Sequence, residues 1–249
     1  MNSNYHKIIS LAFSIGFVVI VQMFATPLPV FRYLLPAFIG YLLVFTFYNI
    51  YYLRVTDQSN PWAWVRPLLF MVGWFGLFFI IPDGFWRGVF LLAGVPIIYL
   101  VELMLGKSGQ QFLFNEVLLT AFSCFLSLTA FSHYYYSVPG TVYLAACFIV
   151  TSLMVRASFE SVPRNAGQKW VSSLLMGLFV TELFWALSFL PLHYSALGLI
   201  LFNIFYFCWA LLYHSLFDHL TARRIQYHLL LLFIFTVMIL IVTPWQIII

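Results

Sequence analysis

Residues 171–216 read VSSLLMGLFVTELFWALSFLPLHYSALGLILFNIFYFCWALLYHSL. Two apolar runs, with Glu182 as their only acid, part at the turn around Pro191. Each run has about the 20 residues that an α-helix needs to cross a bilayer core of roughly 30 Å. Proline ends such a helix more readily than it sits inside one. The stretch therefore reads as a helical hairpin whose solvent is lipid.

Working outward, segments of similar length fall at 8–25, 34–53, 67–82, 88–106, 112–132, 140–158, 170–191, 195–216 and 227–247. The third is short, lies between Pro67 and Pro82, and is the one whose full crossing is in question. Composition agrees: 64% of residues are apolar and 7% charged, against about 25% charged in a soluble domain. The fold class expected is all-α, a polytopic transmembrane helical bundle with nine helices, eight being the alternative count. Residues 1–249 are expected to form a single integral membrane domain. The first run lacks a small-residue cleavage site and reads as a retained helix rather than a signal peptide.

The net charge of +4 is spread over the loops, with no basic run that would suit nucleic acid. With the N-terminus in the cytoplasm, nine basic residues fall on inner segments and Arg32 and Arg87 on outer ones. That bias fits the positive-inside rule, so the N-terminus is expected in the cytoplasm, the C-terminus outside, and the chain in the cytoplasmic (inner) membrane. Trp62, Trp64, Phe85, Trp86, Trp170, Tyr227 and Trp245 fall near segment ends, as an aromatic belt would.

Ionisable groups inside hydrocarbon are costly, so each is a candidate site. Glu182 lies 12 residues into segment 170–191, about 18 Å from its inner end. Asn203, on the following segment, lies at a similar depth. The two are expected to share a hydrogen bond, either as interhelical glue or as a ligand- or proton-binding centre. Glu102 and Glu116 flank the loop that holds Lys107 and, with Arg156, suggest an ion-paired inner rim. Helices 1–4 are expected to bury almost no polar groups.

At 213–228, YHSLFDHLTARRIQYH places His214 and Asp218 four apart on one helix face, with His228 on the next helix. Three such side chains would serve a metal. They also suit the wet turn between two membrane helices, which is the more economical reading. LGKS at 105–108 lacks the first glycine of a phosphate loop, and no GxSxG or HExxH occurs. Cys124, Cys147 and Cys208 sit in apolar segments as small hydrophobes. No cofactor is called for, no catalytic residue is assigned, and an enzyme is the less favoured reading.

The stretches TELFWALSFLPLHYSALGLIL (181–201) and FCWALLYHSLFDHLT (207–221), with the closing VTPWQ (242–246), resemble an uncharacterised family of polytopic membrane proteins from candidate-phyla bacteria, known only as a domain of unknown function. Glu182, Trp185, Leu190, Pro191, His214, Thr221 and Trp245 carry the likeness, which covers a quarter to a third of the chain. The resemblance implies a multi-helix inner-membrane protein and supplies no activity. The functional expectation is a bundle that binds a lipid or small molecule, or moves a small solute. Its alternatives are a structural subunit packed on partner membrane proteins or a homo-oligomer, and a metal hydrolase at the inner face.

Overall fold

The structure, a computed structural model, describes residues 3–24, 31–56, 62–82, 84–103, 110–135, 137–159, 162, 164–217 and 220–243. Among these the chain is all-helical: α1 (Ser3–Met23), α2 (Phe31–Val55), α3 (Val65–Ile80), α4 (Phe85–Leu103), α5 (Gln110–Tyr134), α6 (Gly140–Ser158), α7 (Ala166–Leu187), α8 (Tyr194–Leu216) and α9 (Ala222–Val242). Eight of them are long and apolar enough to cross a membrane, and α3 is the shorter one. Large apolar side chains stand exposed on helix after helix, among them Phe47, Leu92, Leu175 and Phe233. Water would not tolerate that outside, and lipid does.

The chain packs as two compact units, Met1–Glu116 and Val117–Ile249. In the first, α1 lies along α4, and α3 packs on α4 and α2. Its core is aromatic. Phe38 stacks on Phe75 with centroids 4.1 Å apart, and Trp74 on Phe90 at 4.2 Å. Buried residues occur all round α3, from Val65 and Arg66 to Phe78.

At 16 residues, α3 is about 24 Å long, less than the hydrocarbon core. Each of its ends is tied to another helix. Arg66, at its start, meets Glu116 near the start of α5, while Phe78, near its end, lies under Arg87 at the start of α4. Pro67 is tolerated because the first turn has no intrahelical acceptor for its missing N–H. Pro82 comes just beyond the helix end, where Ile81 adopts extended backbone.

In the second unit α6 and α7 make the most extensive contact. A Cβ on Gly177 would stand 2.0 Å from Ser152 Oγ and 3.2 Å from the Phe148 carbonyl oxygen, so glycine is what lets these backbones approach. Trp209 Nε1 of α8 donates to Ser158 Oγ of α6 at 2.9 Å in the core. The last helix is held differently. It packs on α8, and His228 is its one buried residue among those described.

Candidate functional site

Two caps set the hairpin that builds the site. The His193 ring accepts from Ser195 N and fixes the start of α8. Thr221 accepts from Arg224 N and starts α9 at Ala222, five residues earlier than the apolar run suggested. Burial, then the facing His133 (ring centroids 6.5 Å apart), holds His193 below the ordinary histidine range.

Between α8 and α9 lies a cavity of about 740 Å³. Leu199 and Phe202 of α8, Phe235 and Met238 of α9 and Leu118 of α5 give it apolar walls. That is within the roughly 300–1,000 Å³ of small-molecule sites, which combine such walls with a few placed polar groups. Here the polar groups are Ser195, Asn203, Tyr206 and Thr243. Asn203, 5% exposed, donates through Nδ2 to the Leu232 carbonyl at 3.0 Å and to Thr236 Oγ1 at 2.9 Å.

Asn203 is thus committed to α9, and the expected hydrogen bond with Glu182 is not what forms. Glu182 is exposed on α7, which begins at Ala166 rather than 170. The carboxylate is therefore about 24 Å from the start of the helix and only about 8 Å from its end. Apolar periodicity gave both depths as similar. It could not give the rotation of α7, which turns Glu182 outward.

Of the three residues weighed for a metal, the structure brings two together. The His214 and His228 rings stack with centroids 5.7 Å apart, and His228 Nδ1 is 3.1 Å from Tyr206 Oη. Asp218 lies outside the described residues. Among those described, no group of three metal-binding side chains gathers.

The expected inner rim is replaced by a buried arrangement in the first unit. Arg66 Nη1 meets Glu116 Oε2 at 2.8 Å, with the side chains 3% and 1% exposed. Asn49 Nδ2 donates to Glu102 Oε2 at 3.4 Å, both residues being buried. His6 shares a hydrogen with Tyr48 Oη at 2.9 Å and stacks on Tyr52. Lys107 lies outside the described residues, and Arg156 of the second unit covers the Trp170 ring, its guanidinium carbon 5.5 Å from the centroid.

The expectation that helices 1–4 bury almost no polar groups is therefore overturned: His6, Ser10, Ser14, Asn49, Arg66 and Glu102 are all buried there. Sequence reasoning passed over His6, Asn49 and Arg66 as site residues. The signal was present for Asn49, a lone amide in the apolar run 34–53. Arg66 reads as a loop cation because it precedes Pro67, and only the fold carries it inward.

No curated protein and no solved structure matches the chain. The resemblance seen in the C-terminal third implied an uncharacterised family, and the match found is longer than that third. Residues 51–242, about three quarters of the chain, match the family described as Protein of unknown function (DUF5656), and to that family the chain belongs.

Proposed function

We propose that this is a multi-pass protein of a bacterial cytoplasmic membrane, N-terminus inside and C-terminus outside. It binds an apolar or amphiphilic small molecule, such as a lipid chain, in the groove between α8 and α9. The observation that carries this reading is the groove itself: about 740 Å³, apolar walls, and a short row of polar groups beside them. Asn203, whose Nδ2 is taken up by α9, is assigned to orient the ligand through Oδ1, with Tyr206 beside it. On this reading the chain acts as one integral membrane domain with no cofactor, and transport of a small solute is a narrower form of the same binding.

Native mass spectrometry of the detergent-purified protein tests it. A retained lipid-sized adduct is expected on the wild type and is expected to be lost when Leu199→Trp fills the groove. A bare wild type, or an adduct that survives Leu199→Trp, would reject the groove as its site.

A second reading has its own observation. Glu182 points outward from α7 beside exposed Trp185, and α9 buries little of its surface. A carboxylate facing lipid is costly, whereas one facing a partner helix is not. On this reading the chain is a subunit of a larger assembly or a homo-oligomer. Retention of a higher-mass complex by wild type and its loss in Glu182→Leu would favour it. The stacked His214 and His228 keep a metal-hydrolase reading testable: stoichiometric metal lost in His214→Ala is its requirement.

A further inference from the structure

Five helix termini of the first unit converge: the starts of α1, α3 and α5 and the ends of α2 and α4. They assemble His6, Asn49, Arg66, Glu102 and Glu116, none more than 5% exposed. Among the described residues the cluster holds two carboxylates, one guanidinium and one imidazole. Arg66 is engaged by Glu116 at 2.8 Å, and Glu102 lies within the repulsive field of Glu116. Among the described residues, the partner of Glu102 is an amide, Asn49, which brings no charge. With the His6 ring neutral, ionising both carboxylates would leave one buried negative charge uncompensated among the described residues, which proteins avoid.

The hydrogen-bonding inventory indicates how it is compensated. Asn49 Nδ2 donates to Glu102 Oε2, which leaves Asn49 Oδ1 and Glu102 Oε1. Both atoms are buried, and neither has a hydrogen-bond partner. In the carboxylate form both are acceptors, and two acceptors cannot satisfy each other. A carboxylic acid and a primary amide, by contrast, pair edge to edge through two antiparallel bonds, N–H to one oxygen and O–H to the other. A single proton on Glu102 Oε1 would supply the donor that Asn49 Oδ1 lacks and remove one negative charge. Exchanging the nitrogen and oxygen of the amide changes nothing, since Oδ1 would then face Oε2 with no hydrogen between them.

We propose that Glu102 is a proton-binding site, carrying an exchangeable proton on one carboxyl oxygen that it donates to the Asn49 carbonyl. The ligand is the proton, and the Arg66–Glu116 pair is its fixed charged neighbour. On release, the Glu102 O–H bond breaks, its electron pair stays on the carboxylate, and the proton passes to water. Asn49 Oδ1 then loses its donor, and Glu102 becomes a second negative charge in the field of Glu116. The contact between α2 and α4 is therefore stronger in the protonated form. The other titratable groups facing the site are His6 on α1 and Tyr41, Tyr48 and Tyr52 on α2. Tyr41 Oη is committed to the Phe13 carbonyl and His6 Nδ1 to Tyr48, while His6 Nε2 is buried without a hydrogen-bond partner. This site is separate from the α8–α9 groove and stands whether or not a ligand occupies that groove.

Infrared difference spectroscopy on the full chain in phosphatidylcholine vesicles tests the assignment. As the pH is raised from neutral, loss of a carboxylic-acid C=O band that shifts in D₂O is expected. The band should be missing in Glu102→Gln and retained in Glu182→Gln. In Asn49→Leu it should persist but move to higher frequency, because its acceptor is gone. That variant answers the question even where Glu102→Gln fails to fold. A wild type without the band, a band that survives Glu102→Gln, or a band unmoved by Asn49→Leu would each overturn the proposal. So would a rise in thermal stability with NaCl over choline chloride that Glu102→Gln abolishes, since the carboxylate would then hold an alkali cation instead.

Discussion

Charge burial decides most of what single residues do here. Arg66 and Glu116 are both almost fully buried, so removing one partner leaves an ion with nothing opposite. Glu116→Gln is expected to cost about 3–5 kcal/mol, whereas the double change Arg66→Met with Glu116→Met should recover most of that loss. Midpoints of thermal unfolding in detergent check both. Asn203 is a smaller case. Its two hydrogen bonds to α9 are worth about 1–2 kcal/mol together, so Asn203→Ala should lower the midpoint modestly, and Thr236→Val by less. His193 adds a pH dependence. Burial and His133 depress its folded-state value below 6.5, so the neutral ring is the one that folding favours. A depressed value means stability that is present above the unfolded value and lost as pH falls through the folded one. The neutral ring is also the one that can accept from Ser195 N, so acid removes the cap on α8. His193→Asn, which keeps an acceptor without the titration, should flatten stability between pH 7 and 5.

Elements were far more legible than sites. Eight helices of membrane length and one short one follow from apolar run lengths and the placing of Pro67, Pro82 and Pro191, and these are what the described residues build. The start of α9 was missed because Thr221 caps a turn containing Arg223 and Arg224, residues that hydropathy counts against a helix. Which face each helix turns inward was not legible either. Every side of these helices is apolar, so periodicity carries little phase, and Glu182 and Asn203 could be given a depth but not a direction. Packing supplies the phase, most sharply at Gly177 between α6 and α7. Gly177→Ala should destabilise by about 1–3 kcal/mol, since the added methyl meets Ser152 Oγ and the Phe148 carbonyl. Adding Ser152→Ala should restore part of the loss. A double-mutant cycle showing no coupling would mean the two helices separate freely at that point.

At the scale of the whole chain, the proposed orientation predicts a reporter experiment. Alkaline phosphatase fused after Ile249 should be active and a fluorescent protein there dark, with the reverse at the N-terminus. Both units carry apolar exteriors, so neither side-chain chemistry nor charge competes with that placement. The buried pair in the first unit has a further consequence, one of timing. A ribosome delivers the chain in order, and Arg66 emerges 50 residues before Glu116. At roughly 5–20 residues per second, the guanidinium waits several seconds for its carboxylate. Until then α3, already short for a bilayer, has an unpaired cation at its leading end. The helix that ends as the most enclosed of its unit is therefore expected to reach its final packing only when a later segment arrives. Slower translation over residues 66–116 should lengthen the time Arg66 spends unpaired.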